Sequence, residues 1–331
     1  MAVNDKIRVV DYNSVQTKIN NLIGNGAGSS GWGQTVNSSP VSVSNKITVN
    51  EWANLRNDII NGFRHINSGT PNTVQATVNS IIKFDNTGTT PEAATQVVVQ
   101  YDRWADQLTE NKFTVDPSQR KEVPKGSTVR NWPNAQQQFW QTKISSTITV
   151  TFTTANQARY FFNSGGQVKI TTTRTNTSGL PDGNETDQNK SWRDLLIAAG
   201  TRVFGAQLPD AGFAPMNGKN FYKLTDQYQS WYDDSSESPY TLNTYRIQAR
   251  TPGVANNSTG SARIIEFLVE LIDGYDDPDG PVNIFGPGDE VTGRFEITVA
   301  TIEATGILVP ASAGNFVVES PQVEITQISG S

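Results

Sequence analysis

The spacing of apolar residues changes partway along this 331-residue chain. Up to about residue 110 it follows the turn of a helix; from Trp140 onward it alternates along extended runs. Val15, Ile19, Leu22 and Ile23 share one helical face, with Asp11 placed to cap the helix and Gly24 to stop it. Thr48 and Glu51 form a capping box ahead of a stripe of Trp52, Leu55, Ile59 and Phe63, closed by His65 and Ile66. Two further helices are expected, one over 74–84 and one following Thr89 with Glu92 in the box position. The second carries Val98, Tyr101, Ala105 and Leu108, with Trp104 alongside. Residues 110–136, punctuated by Pro117, Pro124 and Pro133, read as a connector.

Beyond Trp140, KISSTITVTF places Ile148, Val150 and Phe152 on one face. A short helix, a Ser164-Gly165-Gly166 turn and another strand follow it. SWRDLLIAAG reads as a helix with Ser191 as N-cap, Asp194 in the box position and Gly200 as its stop. Strands are expected over 201–205, 220–232, 242–250, 262–272, 291–304 and 315–328. The segments between them are rich in turn-forming pairs such as Pro-Gly, Asp-Gly and Asn-Asn. No helix–strand alternation supports a parallel sheet. The expected class is therefore α+β, mainly β: a short N-terminal helical region, then a β-rich, largely antiparallel, sandwich-like C-terminal domain. The corresponding division is 1–70 as a helical attachment region, 71–139 as a helical and extended connector, and 140–331 as the β-rich body.

Composition narrows the chemistry. The chain has no cysteine and one histidine, which excludes disulfides, thiolate nucleophiles, Cys-based zinc sites and two-His metal motifs. Lys and Arg number 26 against 32 Asp and Glu, a formal charge of −6, which argues against sequence-independent nucleic-acid binding. The polar start carries no secretory signal and no apolar run reaches a membrane span, so no membrane association is expected.

Several local patterns invite a functional reading. Gly26, Gly28 and Gly31 spell G-x-G-x-x-G, but they follow a helix instead of leading from a strand into one, so a tight connector is expected and no cofactor. Asp273, Asp276, Asp277 and Asp279 are the weak metal candidate, as hard cations favour several carboxylates in one loop. An EF-hand register ending at Gly280 would put Tyr275 first and Gly286 twelfth, which excludes that motif. Trp231, Tyr232, Asp233 and Asp234 combine aromatics with carboxylates, as sugar sites do and as ordinary strand ends do. His65, at a helix C-terminus, is expected to interact favourably with the helix dipole. No nucleophile elbow or triad partner stands out, and no catalytic residue is assigned.

A longer pattern remains. RYFFNSGGQVKITTTRT, SWRDLLIAAGTRVFGA, FYKLTDQYQSWYDD, SPYTLNTYRIQART and IIEFLVELIDGYDDPD with DEVTGRFEITV follow one another in order. DYNSVQTKINNLIGNGAGSSGWGQTVNSSPVS and ITVNEWANLRNDI precede them. Together, over residues 7–66 and 140–300, they resemble virion structural proteins of contractile-tailed phages that infect marine cyanobacteria, with YFFNSGG and WGQ the most specific parts. The resemblance implies a location, the virion, assembled in the host cytoplasm, and implies no catalytic residues. The expected function is that of a structural, non-enzymatic component of the tail, neck or baseplate. It would work as a homo-oligomer docked to neighbouring virion proteins, without cofactor. Tyr12, Trp32 and Trp52 are the expected anchoring contacts, since aromatics dominate interface energetics; filling the local core is their competing role. The alternative is a receptor-binding or fibre module that recognises host glycan through aromatics of the β domain, with a polysaccharide depolymerase behind it.

Overall fold

Helix α1 (Val9–Ile23) buries Tyr12, Val15, Ile19, Leu22 and Ile23, the stripe expected from spacing. It begins earlier than Asp11: Arg8 is the N-cap, and Asp11, in the N3 position, accepts from the Arg8 backbone N–H at 3.0 Å. The structure is a computed structural model that describes residues 8–67, 97–132, 140, 142–176, 187–206, 218–274, 291–305 and 318–330. The helix expected over 74–84, and the Glu92 box, lie outside these residues. Helix α2 (Val49–Asn67) starts at the expected capping box, with the Thr48 backbone N–H donating to Glu51. Helix α3 (Val97–Glu110) contributes Tyr101, Trp104, Ala105 and Leu108 to the same core. The three pack on one another, and Trp52 meets Tyr12 edge-on at 5.0 Å and Tyr101 at 5.8 Å.

The loop from α1 to α2 is stitched down by buried polar groups. Asn13 and Val41 exchange two hydrogen bonds, of 2.9 and 2.8 Å. The Asp58 carboxylate, 2% exposed, accepts from the Asn37 and Ser38 backbone N–H groups and from Asn37 Nδ2. A buried carboxylate is tolerated because donors replace its water.

The stretch read as a connector holds a strand. β1 (Arg120–Trp132) forms the edge of a sheet ordered β1-β8-β3-β4. Its Pro124 and its charges, which argued against a strand, are what an edge tolerates, because an edge leaves backbone groups outside the ladder. Its partners are β3 (Gln167–Thr175), β4 (Thr201–Phe204) and β8 (Gly293–Ala304).

The second sheet runs β10-β2-β7-β6-β5, with β9 also on β2. Its strands are β2 (Lys143–Thr151), β5 (Gln229–Ser235), β6 (Thr244–Arg250), β7 (Ile264–Ile272), β9 (Gln322–Ile325) and β10 (Ser329–Gly330), and these pair antiparallel. The strand expected over 220–232 starts only at Gln229; a 3-10 turn occupies Phe221–Lys223 instead. Alternation is strict in β2 and β6, and β5 breaks it at a bulge between Ser230 and Tyr232. Ile144, Ile148 and Val150 of β2 share the inner face with Ile265, Phe267 and Val269 of β7 and Tyr245, Ile247 and Ala249 of β6.

The outer face carries cross-strand rows of opposite charge. Asp233, Arg246 and Glu270 succeed one another across three strands and Lys143 of β2 reaches Glu270 diagonally, with ion pairs of 2.9 Å at Asp233–Arg246 and at Glu270–Lys143. Such a face is wettable and favours one register. The sheets close on each other as the expected sandwich: Phe204 of β4 lies 5.0 Å from Phe267 and 5.4 Å from Trp231, and Thr172 of β3 bonds the Tyr245 hydroxyl at 2.9 Å. The class is α+β, with the helices mostly N-terminal and the strands C-terminal.

Helix α4 (Ala155–Asn163) and helix α5 (Asp187–Ala199) interrupt the strands. The chain divides into two compact units, and they do not follow the three-way division read along the sequence. One comprises residues 1–122, 156–166 and 302–320; the other comprises 123–155, 167–301 and 321–331. Most of α4 therefore belongs with the N-terminal helices, although the strands on either side of it belong to the sandwich. Phe267→Ala should lower the stability of the sandwich by about 3–5 kcal/mol, read from urea unfolding, because the ring has no solvent contact to collapse into.

Candidate functional site

The two segments that carry the resemblance most specifically meet in space. The glycine loop of residues 24–34 closes back on α1: Trp32, Gly33 and Gln34 donate their N–H groups to Leu22, Gly24 and Ile23, each at 2.9 Å. Its other carbonyls turn to α4. The fully buried Asn163 donates from Nδ2 to Gly28 O, Ser30 O and Gly31 O at 3.3, 3.1 and 3.1 Å. Arg159 Nη2 donates to Gly26 O at 2.5 Å, and Tyr160 Oη to Asn25 Oδ1 at 3.1 Å. In return, Trp32 Nε1 donates to Asn163 O at 3.0 Å and to Lys112 O at 3.1 Å. Gly33 has φ +70°, and a Cβ there would fall 2.3 Å from the Tyr160 ring. Only glycine combines that backbone with that contact.

This geometry explains the G-x-G-x-x-G spacing without a cofactor. A phosphate cradle presents backbone N–H groups to an anion. Here Gly26, Gly28 and Gly31 present carbonyl oxygens to an arginine and an amide, the reverse polarity. Sequence reading picked out the YFFNSGG segment but not the role of Asn163 or Arg159. A loop rich in carbonyls signals a need for donors, but nothing in the spacing says which distant side chain supplies them.

His65 belongs to the same assembly. Its Nε2 donates to Ser164 O at 3.0 Å, which sets the tautomer, and its ring lies 4.5 Å from Trp32. Burial pushes its pKa down from 6.5 to about 4, against a smaller upward pull from the Ser164 carbonyl. The imidazole is neutral at pH 7, so the expected attraction between a charged His65 and the helix dipole is replaced by packing and a backbone hydrogen bond.

The other candidate residues are dispersed. Tyr12, Trp32 and Trp52 are at most 2% exposed and fill the core of the helical unit, so they serve as core and not as surface anchors. Their size explains this: a unit built from short helices and long loops needs its largest rings inside. Trp231 and Tyr232 are fully buried as well, so neither offers a ring to a sugar. Asp233 pairs with Arg246 at 2.9 Å, while Asp234 accepts from Tyr232 Oη at 2.9 Å.

Asp276, Asp277 and Asp279 lie outside the described residues. Asp273 is described, and both its oxygens accept from Gln188 Nε2 at 3.0 Å. Asn243, with its amide nitrogen toward Asp273, donates to it at 2.8 Å and accepts from Trp192 Nε1 at 3.2 Å. Asp273 thus ties β7 to α5. Among the described residues no group of three His, Asp or Glu side chains is placed to hold a metal, and no helix is long and apolar enough to cross a membrane.

Two outcomes test this description. Asn163→Asp should destabilise the helical unit by about 3 kcal/mol in urea unfolding, since it turns an acceptor toward backbone carbonyls that need donors. For His65 the unfolded chain takes the proton first as pH falls below 6.5. Its contribution is therefore complete above about pH 6.5 and is lost on the way down to about pH 4, a total of about 3 kcal/mol. Unfolding curves from pH 7 to 4 should show that slope in the native chain and a shallower one in His65→Gln. Comparison with protein-family models, with curated proteins and with solved structures finds no match to this chain.

Proposed function

We propose that this chain is a non-enzymatic structural component of a tailed-phage particle, in the tail, neck or baseplate, acting as a homo-oligomer docked to neighbouring virion proteins. The observation that carries the reading is the junction of the two most characteristic segments. WGQ and YFFNSGG are far apart in sequence, with Gly26 and Arg159 separated by 133 residues, yet they form one mutually hydrogen-bonded assembly. A pattern that resembles virion proteins at both places is thus a single structural element of this chain.

The composition supports a part that must persist outside a cell. Without cysteine there is no thiol to oxidise. The charged rows on the outer sheet face keep that surface wettable and its register fixed, as a repeated building part requires. The glycan-binding alternative loses the rings named for it, since Trp231 and Tyr232 are enclosed in the sandwich.

Mass spectrometry of density-purified phage particles whose genome encodes this chain should detect it in several copies per particle. Sedimentation of the purified chain should give a mass at least twice that of one subunit. Particles that lack the chain would overturn the proposal.

A further inference from the structure

Asparagine followed by glycine is a chemically fragile pair. With no side chain on the second residue, its backbone nitrogen can reach the side-chain amide carbon of the first and close a five-membered ring. The pair occurs at Asn25, Asn61 and Asn217, of which Asn217 lies outside the described residues. Asn61 is 3% exposed, and Gly62 lies inside α2, where the helical ladder holds its N–H. Asn25 is exposed and lies just past the end of α1, and among the described residues no hydrogen bond holds the Gly26 N–H. The fold thus protects one pair and leaves the other open.

Two side chains of α4 act on the open pair. Tyr160 Oη donates to Asn25 Oδ1 at 3.1 Å. It polarises the amide carbon that the Gly26 nitrogen attacks, and it stands where negative charge develops on that oxygen. Arg159 Nη2 lies 3.5 Å from Asn25 O, the carbonyl conjugated with the Gly26 nitrogen, and bonds Gly26 O at 2.5 Å. A cation beside that carbonyl favours loss of the Gly26 proton. Electrophile and nucleophile are therefore both activated from one helix, by side chains whose other duty is to close the glycine loop. Both are firmly placed, with Arg159 only 8% exposed and the Tyr160 ring packed on Gly33.

We propose that Asn25–Gly26 is a self-modification site, at which the folded chain converts Asn25 to aspartate or isoaspartate. The Gly26 nitrogen gives its proton to hydroxide and bonds to Asn25 Cγ. The oxyanion on Oδ1 collapses, and Nδ2 leaves as ammonia with a proton from water. Water then opens the cyclic imide: breaking the Cγ–N bond gives aspartate, and breaking the backbone C–N bond gives isoaspartate. The sum consumes one water and releases one ammonia, with nothing oxidised or reduced. It adds a carboxylate to the loop beside the Arg159 guanidinium. The change is irreversible and needs no enzyme, so its extent records the age of the chain.

The test is peptide mapping by mass spectrometry of the full chain, kept folded in mildly alkaline buffer and sampled over weeks. The Asn25 peptide should gain the mass by which a hydroxyl exceeds an amino group, with isoaspartate among its products, while the Asn61 peptide stays unchanged. Tyr160→Phe keeps the ring that packs on Gly33 and removes the donor. It should slow the conversion about tenfold, less than an oxyanion donor is worth in a water-excluded site. A loosened loop would speed the reaction, so a slower variant cannot arise from a folding defect. No conversion at Asn25, equal conversion at Asn61, or an unchanged or faster rate in Tyr160→Phe would overturn the proposal. Because the measurement needs no particle, its failure leaves the virion reading standing, and the reverse also holds.

Discussion

A glycine-rich turn has too little side chain to satisfy its own carbonyl oxygens, and much of the helical unit is arranged around that deficit. Once 24–34 folds back on α1, several of its carbonyls turn toward α4, part-buried at Gly26, Gly28 and Ser30 and buried at Gly31. A buried acceptor left unpaired costs about 1–3 kcal/mol, so several together would prevent the loop from closing. Asn163 and Arg159 supply the donors, and their delivery brings Tyr160 against Gly33 and Ser164 to His65. Trp32 bonds α4 and the Lys112 carbonyl together, so one indole nitrogen joins loop, helix and the segment after α3. Polar satisfaction at the loop acts together with the apolar core of the helical unit to specify this arrangement.

The sandwich follows a different logic. Its inner faces are ordinary apolar packing, and its specificity lies in the outer rows of charge and in the few polar links across the core. A slip of one residue in β7 against β2 would turn Phe267 to solvent and Glu266 inward. Arg202 and Tyr232 are the costly exception, a cation and a hydroxyl kept inside the sandwich. Their reward is a carboxylate, Asp234, whose orientation does not depend on solvent.

Much of the fold was legible because periodicity reports burial directly. The stripes of α1 and α2 and the alternation of β2 place nearly every core residue they name. β1 was hidden because an edge strand carries the prolines and charges that otherwise signal a loop. The start of α5 was misplaced because Ser191 and Asp194 make a plausible cap, while Gln188 and Asn189 are buried inside a turn that begins before them. Sites were less legible. Tyr12, Trp32 and Trp52 are large aromatics, and sequence alone does not distinguish a ring inside a core from a ring that meets a partner.

The interleaving of the two units bears on how the chain is made. The helical unit draws on 156–166 and on residues from 302 onward, with Ala304 in its core. α1 and α2 leave the ribosome first, yet the donors their loop requires arrive more than a hundred residues later, and the last piece of their core later still. Until Asn163 is made, Trp32 Nε1 lacks its carbonyl acceptor there and the Gly31 carbonyl lacks its amide donor. The strands between β3 and β8 can meanwhile pair among themselves. The N-terminal unit is therefore completed only by residues from the far end of the chain.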